Sequence, residues 1–206
     1  MKLRTLAVMA VLSAGIATSR ANITNVSLSS GDLNVMSCYL YPLQYVSAGN
    51  YLLDISGNQL TTGSGLLSGG ITTDTPADPS LSLVHTINND TLAIWSDYHV
   101  QVTMSQPFAF SNVLVSTSGW SVSAIGGPSP SGPNYVGTID FLSGGPASYI
   151  NPGGVLNFSF AINFAGSVAF SELLTPSTVT VPEPSAIALL ACGLMGLFVI
   201  QRRLAA

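Results

Sequence analysis

Between Ala21 and Gln201 the chain contains neither lysine nor arginine. Phosphate backbones are bound by neutralising them with those side chains, so nucleic acid is excluded as a natural partner. Anionic lipid headgroups are disfavoured for the same reason, and an arginine or lysine clamp on a developing oxyanion cannot be built. The five basic residues, Lys2, Arg4, Arg20, Arg202 and Arg203, all sit near the two ends. The interior carries Asp32, Asp54, Asp74, Asp78, Asp90, Asp97, Asp140 and Glu172, a net charge of about −8 over residues 22–180 at neutral pH.

Cysteine is also scarce. Cys38 lies in the interior and Cys192 in an apolar tail, so neither a disulfide framework nor a cysteine zinc site is expected. Cys38 reads as a small buried hydrophobe. Charged residues make up only 7% of the chain while 47% is hydrophobic. That balance is the reverse of a disordered segment and suits one core of ordinary size within 206 residues. Strong helix formers are few, whereas Gly 20, Pro 12 and many Ser and Thr favour strands joined by turns.

Both ends read as addresses. At the start, Lys2 and Arg4 precede an apolar stretch from Leu6 to about Ala17, with small residues Ser19 and Ala21 flanking Arg20, the pattern of a secretory signal peptide cut by signal peptidase after Ala21. At the other end, Ser185 to Ile200 form an uncharged run of 16 residues. As a helix it would span about 24 Å, short of the roughly 30 Å of bilayer hydrocarbon. Pro184 fits the first turn of such a helix. Arg202 and Arg203 would hold its end on the cytoplasmic side, which makes them a stop-transfer pair and places residues 22–184 outside.

The order Val181, Pro182, Glu183, Pro184, Ser185, then an apolar helix, then Arg202 and Arg203, resembles the PEP-CTERM sorting signal of Gram-negative and related bacteria. The resemblance implies recognition by an exosortase, a membrane peptidase that cuts near the motif and discards the helix and arginines. It also implies export through the inner membrane to the cell surface or beyond, in hosts that make exopolysaccharide and biofilm matrix. The chain therefore divides into a signal peptide (1–21), an extracellular domain (22–180) and a sorting segment (181–206).

Period-2 alternation marks the middle as all-β. Leu81, Leu83, His85 and Ile87 share one face of a strand, and Leu156, Phe158, Phe160, Ile162 and Phe164 share one face of another. Further strands fall near 25–29, 51–56, 94–104, 108–116, 120–125, 135–142 and 168–172, separated by Gly, Pro and Ser clusters. Eight or nine short strands predict an antiparallel β-sandwich or jelly roll. The segment with Trp95, Asp97, Tyr98 and His99 after an Asn-rich turn resembles a recurrent extracellular domain of PEP-CTERM proteins, which implies fold and location but no activity.

On the strand from Ile94 to Met104, strict alternation predicts that Trp95, Asp97 and His99 project together, opposite Tyr98 and Val100. Three roles suit that face: a Trp platform for a sugar ring, a metal held by Asp97 and His99, or a Trp covering the sheet beside an Asp–His hydrogen bond. Asp97 and His99 would stand about 7 Å apart, so a shared metal would need ligands from another strand. His85, among leucines, reads as a hydrogen-bonded core histidine. A carboxylate pair could in principle serve a glycosidase, but no nucleophile pattern, calcium loop or cofactor motif is present. The expectation is a non-enzymatic, exosortase-sorted structural or adhesive protein of an exopolysaccharide matrix, without cofactor or metal. A lectin-like carbohydrate-binding module is the alternative, and a glycan hydrolase a remote one.

Overall fold

In the computed structural model, residues 20–179 and Cys192 are described. Apart from Arg20, Ala21 and Cys192, the predicted signal peptide and the predicted C-terminal helix lie outside them. Among the described residues no helix is long and apolar enough to cross a membrane.

Twelve strands run in chain order: β1 (Ile23–Ser30), β2 (Met36–Leu40), β3 (Gln44–Ser47), β4 (Asn50–Gln59), β5 (Gly65–Thr73), β6 (Ser80–Asn89), β7 (Ile94–Met104), β8 (Phe108–Val115), β9 (Trp120–Ser131), β10 (Asn134–Ser143), β11 (Val155–Phe164) and β12 (Val168–Val179). The first sheet has the order β1-β5-β12-β7-β10-β9 and the second β2-β4-β6-β11-β8, with β3 also paired to β4. The two sheets pack as a sandwich around one core drawn from both.

Alternation delivers the predicted faces. Leu81, Leu83, His85 and Ile87 of β6 are all buried, as are Leu156, Phe158, Phe160, Ile162 and Phe164 of β11. The rings of Phe141 and Phe158 approach to 4.8 Å between centroids, so β10 of one sheet packs on β11 of the other. Asn157 and Asn163 point the other way, and Asn163 Nδ2 donates to Ser111 Oγ at 2.9 Å.

Three features differ from the sequence reading. Pairing is antiparallel except between β4 and β6, which are parallel. The intervening strand, β5, lies in the opposite sheet, so the chain re-enters the second sheet in the direction it left. Strands β2, β3 and β5 were absent from the reading; β5 holds three glycines and β3 is fully exposed, so neither shows a clean alternation. Gly69 in β5 lies against β1 so closely that a Cβ would land on the Ser27 carbonyl oxygen.

Strands also extend through proline. Pro128 and Pro130 lie in β9, the edge of the first sheet, where a missing N–H is tolerated. Pro176 sits in β12 beyond Leu174, the last residue paired to β5, so only its β7 side is hydrogen-bonded.

Candidate functional site

The proposed ligand face on β7 does not assemble as the sequence implies. Trp95 is fully buried, and its indole N–H donates to Thr91 Oγ1 at 3.3 Å. The reason is a bulge. Asp97 is opposite Ser177 while Trp95 is opposite Thr178, so β7 spends two steps where β12 spends one, and Ser96 is the extra residue. A bulge shifts the side-chain phase, so Trp95 turns to the core beside Tyr98, with ring centroids 5.4 Å apart. Asp97 and His99 keep the outer face.

The Asn-rich turn before Trp95 has a structural task. Asn89 is buried; its side-chain N–H groups bond the carbonyls of Ala93 and Ile150, and its oxygen accepts from Thr91 N–H and Thr91 hydroxyl. Trp95 and Ile150 also exchange backbone hydrogen bonds at 2.9 and 3.1 Å. This network seats the indole and closes one end of the sandwich.

His99 does not pair with Asp97. Its Nδ1 lies 2.7 Å from Asp140 Oδ1 on β10, and its Nε2 lies 2.9 Å from Ser177 Oγ on β12. A serine, histidine and carboxylate in that order have the connectivity of a nucleophile, a base and its orienting group. Here the three stand on adjacent strands of an open sheet face with the imidazole about half exposed. Near these residues β7 and β10 are each paired on both sides, while β12 is paired only to β7 and across a bulge at Ser177/Thr178, so the backbone N–H groups of β7 and β10 mostly serve the ladder. The chain of side chains ties β12, β7 and β10 together across the face.

A second polar constellation lies inside. His85 of β6 and Glu172 of β12 are both fully buried and meet across the two sheets, with Nε2 and Oε2 3.1 Å apart. His85 also stacks on Phe158, with centroids 4.5 Å apart and planes 6° from parallel. His85 Nδ1, Glu172 Oε1 and the Tyr98 hydroxyl have no hydrogen-bond partner among the described residues. Burial pushes the Tyr98 phenol well above its ordinary value, and the Glu172 carboxylate and the Cys38 thiol add to the rise. Burial likewise raises the Cys38 thiol to about 11; a hydrogen bond with Ser30 opposes the rise and Glu172 adds to it. Both cysteines are free.

His85 was expected as a bonded core histidine and is one; its partner was missed. The signal existed, because Val168, Phe170, Glu172 and Leu174 alternate onto one buried face of β12. Asp140 and Ser177 were missed as partners of His99 because neighbouring strands could not be assigned. Also unnoticed were the exposed tyrosines Tyr39, Tyr41 and Tyr45 on β2, β3 and the link between them. Among the described residues no group of three or more His, Cys, Asp or Glu could hold a metal ion.

The sorting residues Val181, Pro182, Glu183, Pro184, Ser185, Arg202 and Arg203 lie outside the described residues. The structure describes the approach to them, with β12 followed as far as Val179. A family model for the PEP-CTERM protein-sorting motif matches residues 180–203. The tail carries a PEP-CTERM sorting motif. That motif marks a bacterial protein exported, sorted to the cell surface and processed by an exosortase. No curated protein and no solved structure matches the chain at significance.

Proposed function

We propose that this PEP-CTERM protein is a non-catalytic structural or adhesive component of the extracellular polysaccharide matrix, delivered as a folded β-sandwich and released from its tail by the exosortase. One observation carries the reading: β12 is an inner strand of the first sheet, and its last residue in the buried core, Leu174, precedes the motif match at residues 180–203. Cleavage near Pro182-Glu183-Pro184 therefore removes no residue of the described core. The sandwich is the cargo and the tail is the label.

If the 16-residue apolar run is helical it would span about 24 Å, poorly matched to a bilayer of roughly 30 Å, which would suit transient presentation of a cut site better than lasting residence. The intact mass of protein recovered from the host's matrix fraction tests the proposal. The expected mass starts near Asn22 and ends near Glu183, and Glu183→Ala makes the uncut form accumulate in the membrane. A matrix-free protein whose mass still includes Ser185 to Ala206 would overturn it in favour of a permanent anchor. The processed product would contain no lysine or arginine, so it should resist trypsin even when denatured.

A further inference from the structure

The outer face of the second sheet carries two exposed aromatic rings that the core does not use. Tyr39 is 62% exposed and Tyr41 48%. They stand two residues apart on the same side of the chain, with ring centroids 4.9 Å apart and planes at 85°. In that edge-to-face arrangement each ring keeps at least one surface free of the other.

The strand register extends the tyrosines into a polar floor. Tyr39 is opposite Ser56 of β4, and Ser56 is opposite Thr86 of β6. Tyr41 donates its backbone N–H to the carbonyl of Asp54 at 3.0 Å, which sets its side chain beside the Asp54 carboxylate. Gln44 Nε2 in turn holds Asp54 Oδ2 at 3.0 Å. Tyr41, Asp54, Ser56 and Thr86, together with Ile55 and Val84, line a shallow groove of about 240 Å³.

We infer that this face binds an uncharged polysaccharide, one sugar ring stacking on the tyrosines while its hydroxyls bond Asp54, Ser56 and Thr86. The inference deepens the matrix proposal and rests on it, naming the surface and the chemistry by which the sandwich would hold the polymer. Charge selects the ligand class. The groove presents one carboxylate and no cation, and residues 22–179 carry eight carboxylates against no lysine or arginine, so an anionic polymer is repelled. The single carboxylate is already engaged by Gln44, which leaves little to attract a polycation at this spot.

Hydroxyl and carboxylate groups on the floor match a ligand whose own hydroxyls both donate and accept. A second copy of this chain would bring eight further carboxylates and no lysine or arginine, so like charge counts against it as the occupant. A sugar ring presents polarised C–H groups along one face, which suit the electron-rich face of an aromatic ring. The groove is smaller than the usual cavity for a small molecule, as fits a polymer lying along a surface.

Native affinity electrophoresis of the full-length chain tests this, in gels containing hydroxyethylcellulose, dextran, alginate or chitosan. At least one neutral glucan should retard the protein while alginate does not. Tyr41→Ala and Asp54→Ala should each weaken that retardation about tenfold, and Tyr41→Phe should retain it. Equal retardation by alginate, retardation by chitosan that Tyr41→Ala abolishes, no retardation by either neutral glucan, or self-association abolished by Tyr41→Ala would overturn the inference. Co-fractionation with the host's matrix, measured in parallel, separates the two levels. If Tyr41→Ala protein stays in the matrix and neutral gels do not bind, the glycan face fails and the matrix reading stands; wild-type protein absent from the matrix overturns the matrix reading itself.

Discussion

His85 Nε2 and Glu172 Oε2 meet at 3.1 Å, from strands of opposite sheets and 87 residues apart, with neither side chain exposed to solvent. The pair fixes how β6 lies over β12. Removing one partner leaves the other buried and unpaired, so Glu172→Ala should cost about 3–5 kcal/mol. Replacing both by leucine removes the desolvation penalty along with the attraction, and should cost markedly less. Urea denaturation of the three variants checks this, and a Glu172→Ala cost below about 1 kcal/mol would show the pair to be passive.

Phe160 packs between Phe110, at 5.7 Å, and His85, at 5.6 Å between centroids, and is almost fully buried. Phe160→Ala should destabilise by about 3–5 kcal/mol through lost burial and a cavity. The same denaturation series reads it out, with Leu114→Ala, an exposed position on β8, expected within about 0.5 kcal/mol of wild type.

The Cys38 thiol, raised by burial to about 11 from 9.0, should stay protonated at neutral pH. Native protein released from its tail should therefore react slowly with a disulfide reagent at Cys38, and denaturant should speed the reaction. Because the folded value lies above the unfolded one, this group's share of stability is full below pH 9 and is lost as pH rises toward 11. A Cys38→Ala variant should lack that alkaline limb.

Asn22 N–H donates to Asp74 Oδ1 at 2.7 Å and its side-chain amide donates to Asp74 Oδ2 at 2.7 Å. These bonds, the side-chain one foremost, hold the Asp74 carboxyl below its ordinary value. A depressed carboxyl contributes stability above the usual carboxylate range and loses it as pH falls through the lowered value. Cleavage after Ala21 would turn the Asn22 amide into an ammonium facing the same oxygen. The gap in urea midpoint between wild type and Asp74→Asn should be present at pH 7, shrink below about pH 4, and be wider for the processed protein than for the precursor. A gap independent of pH would refute the assignment.

If His99, Asp140 and Ser177 serve only to tie three strands, Ser177 should not be labelled by a fluorophosphonate, and Ser177→Ala should leave matrix association unchanged. Labelling at Ser177 that is lost in His99→Ala would contradict the non-catalytic reading.

Much of this was legible along the chain because the side-chain period of a strand is local. The buried faces of β6 and β11 follow from alternation alone, and the sorting tail follows from a short motif whose parts stand in order. Trp95 was misplaced for an equally definite reason. Alternation holds only while both strands advance in step, and the extra residue Ser96 is visible only against its partner strand β12. A one-residue slip reverses a side chain's face, which removed the indole from the outer surface and with it the sugar platform that was one of the three roles open to that face.

What the sequence by itself determined is the all-β class, the main apolar faces, the acidic interior and the address, since each depends on composition, period or a contiguous motif. The tertiary structure alone decided which strands are neighbours. That choice sets the parallel β4 and β6, lets Pro176 sit past the end of β5, and puts Glu172 against His85 and Asp140 and Ser177 around His99. Strand pairing is settled by packing among segments tens of residues apart, where loop closure costs vary only slowly with length and so leave little trace in local sequence.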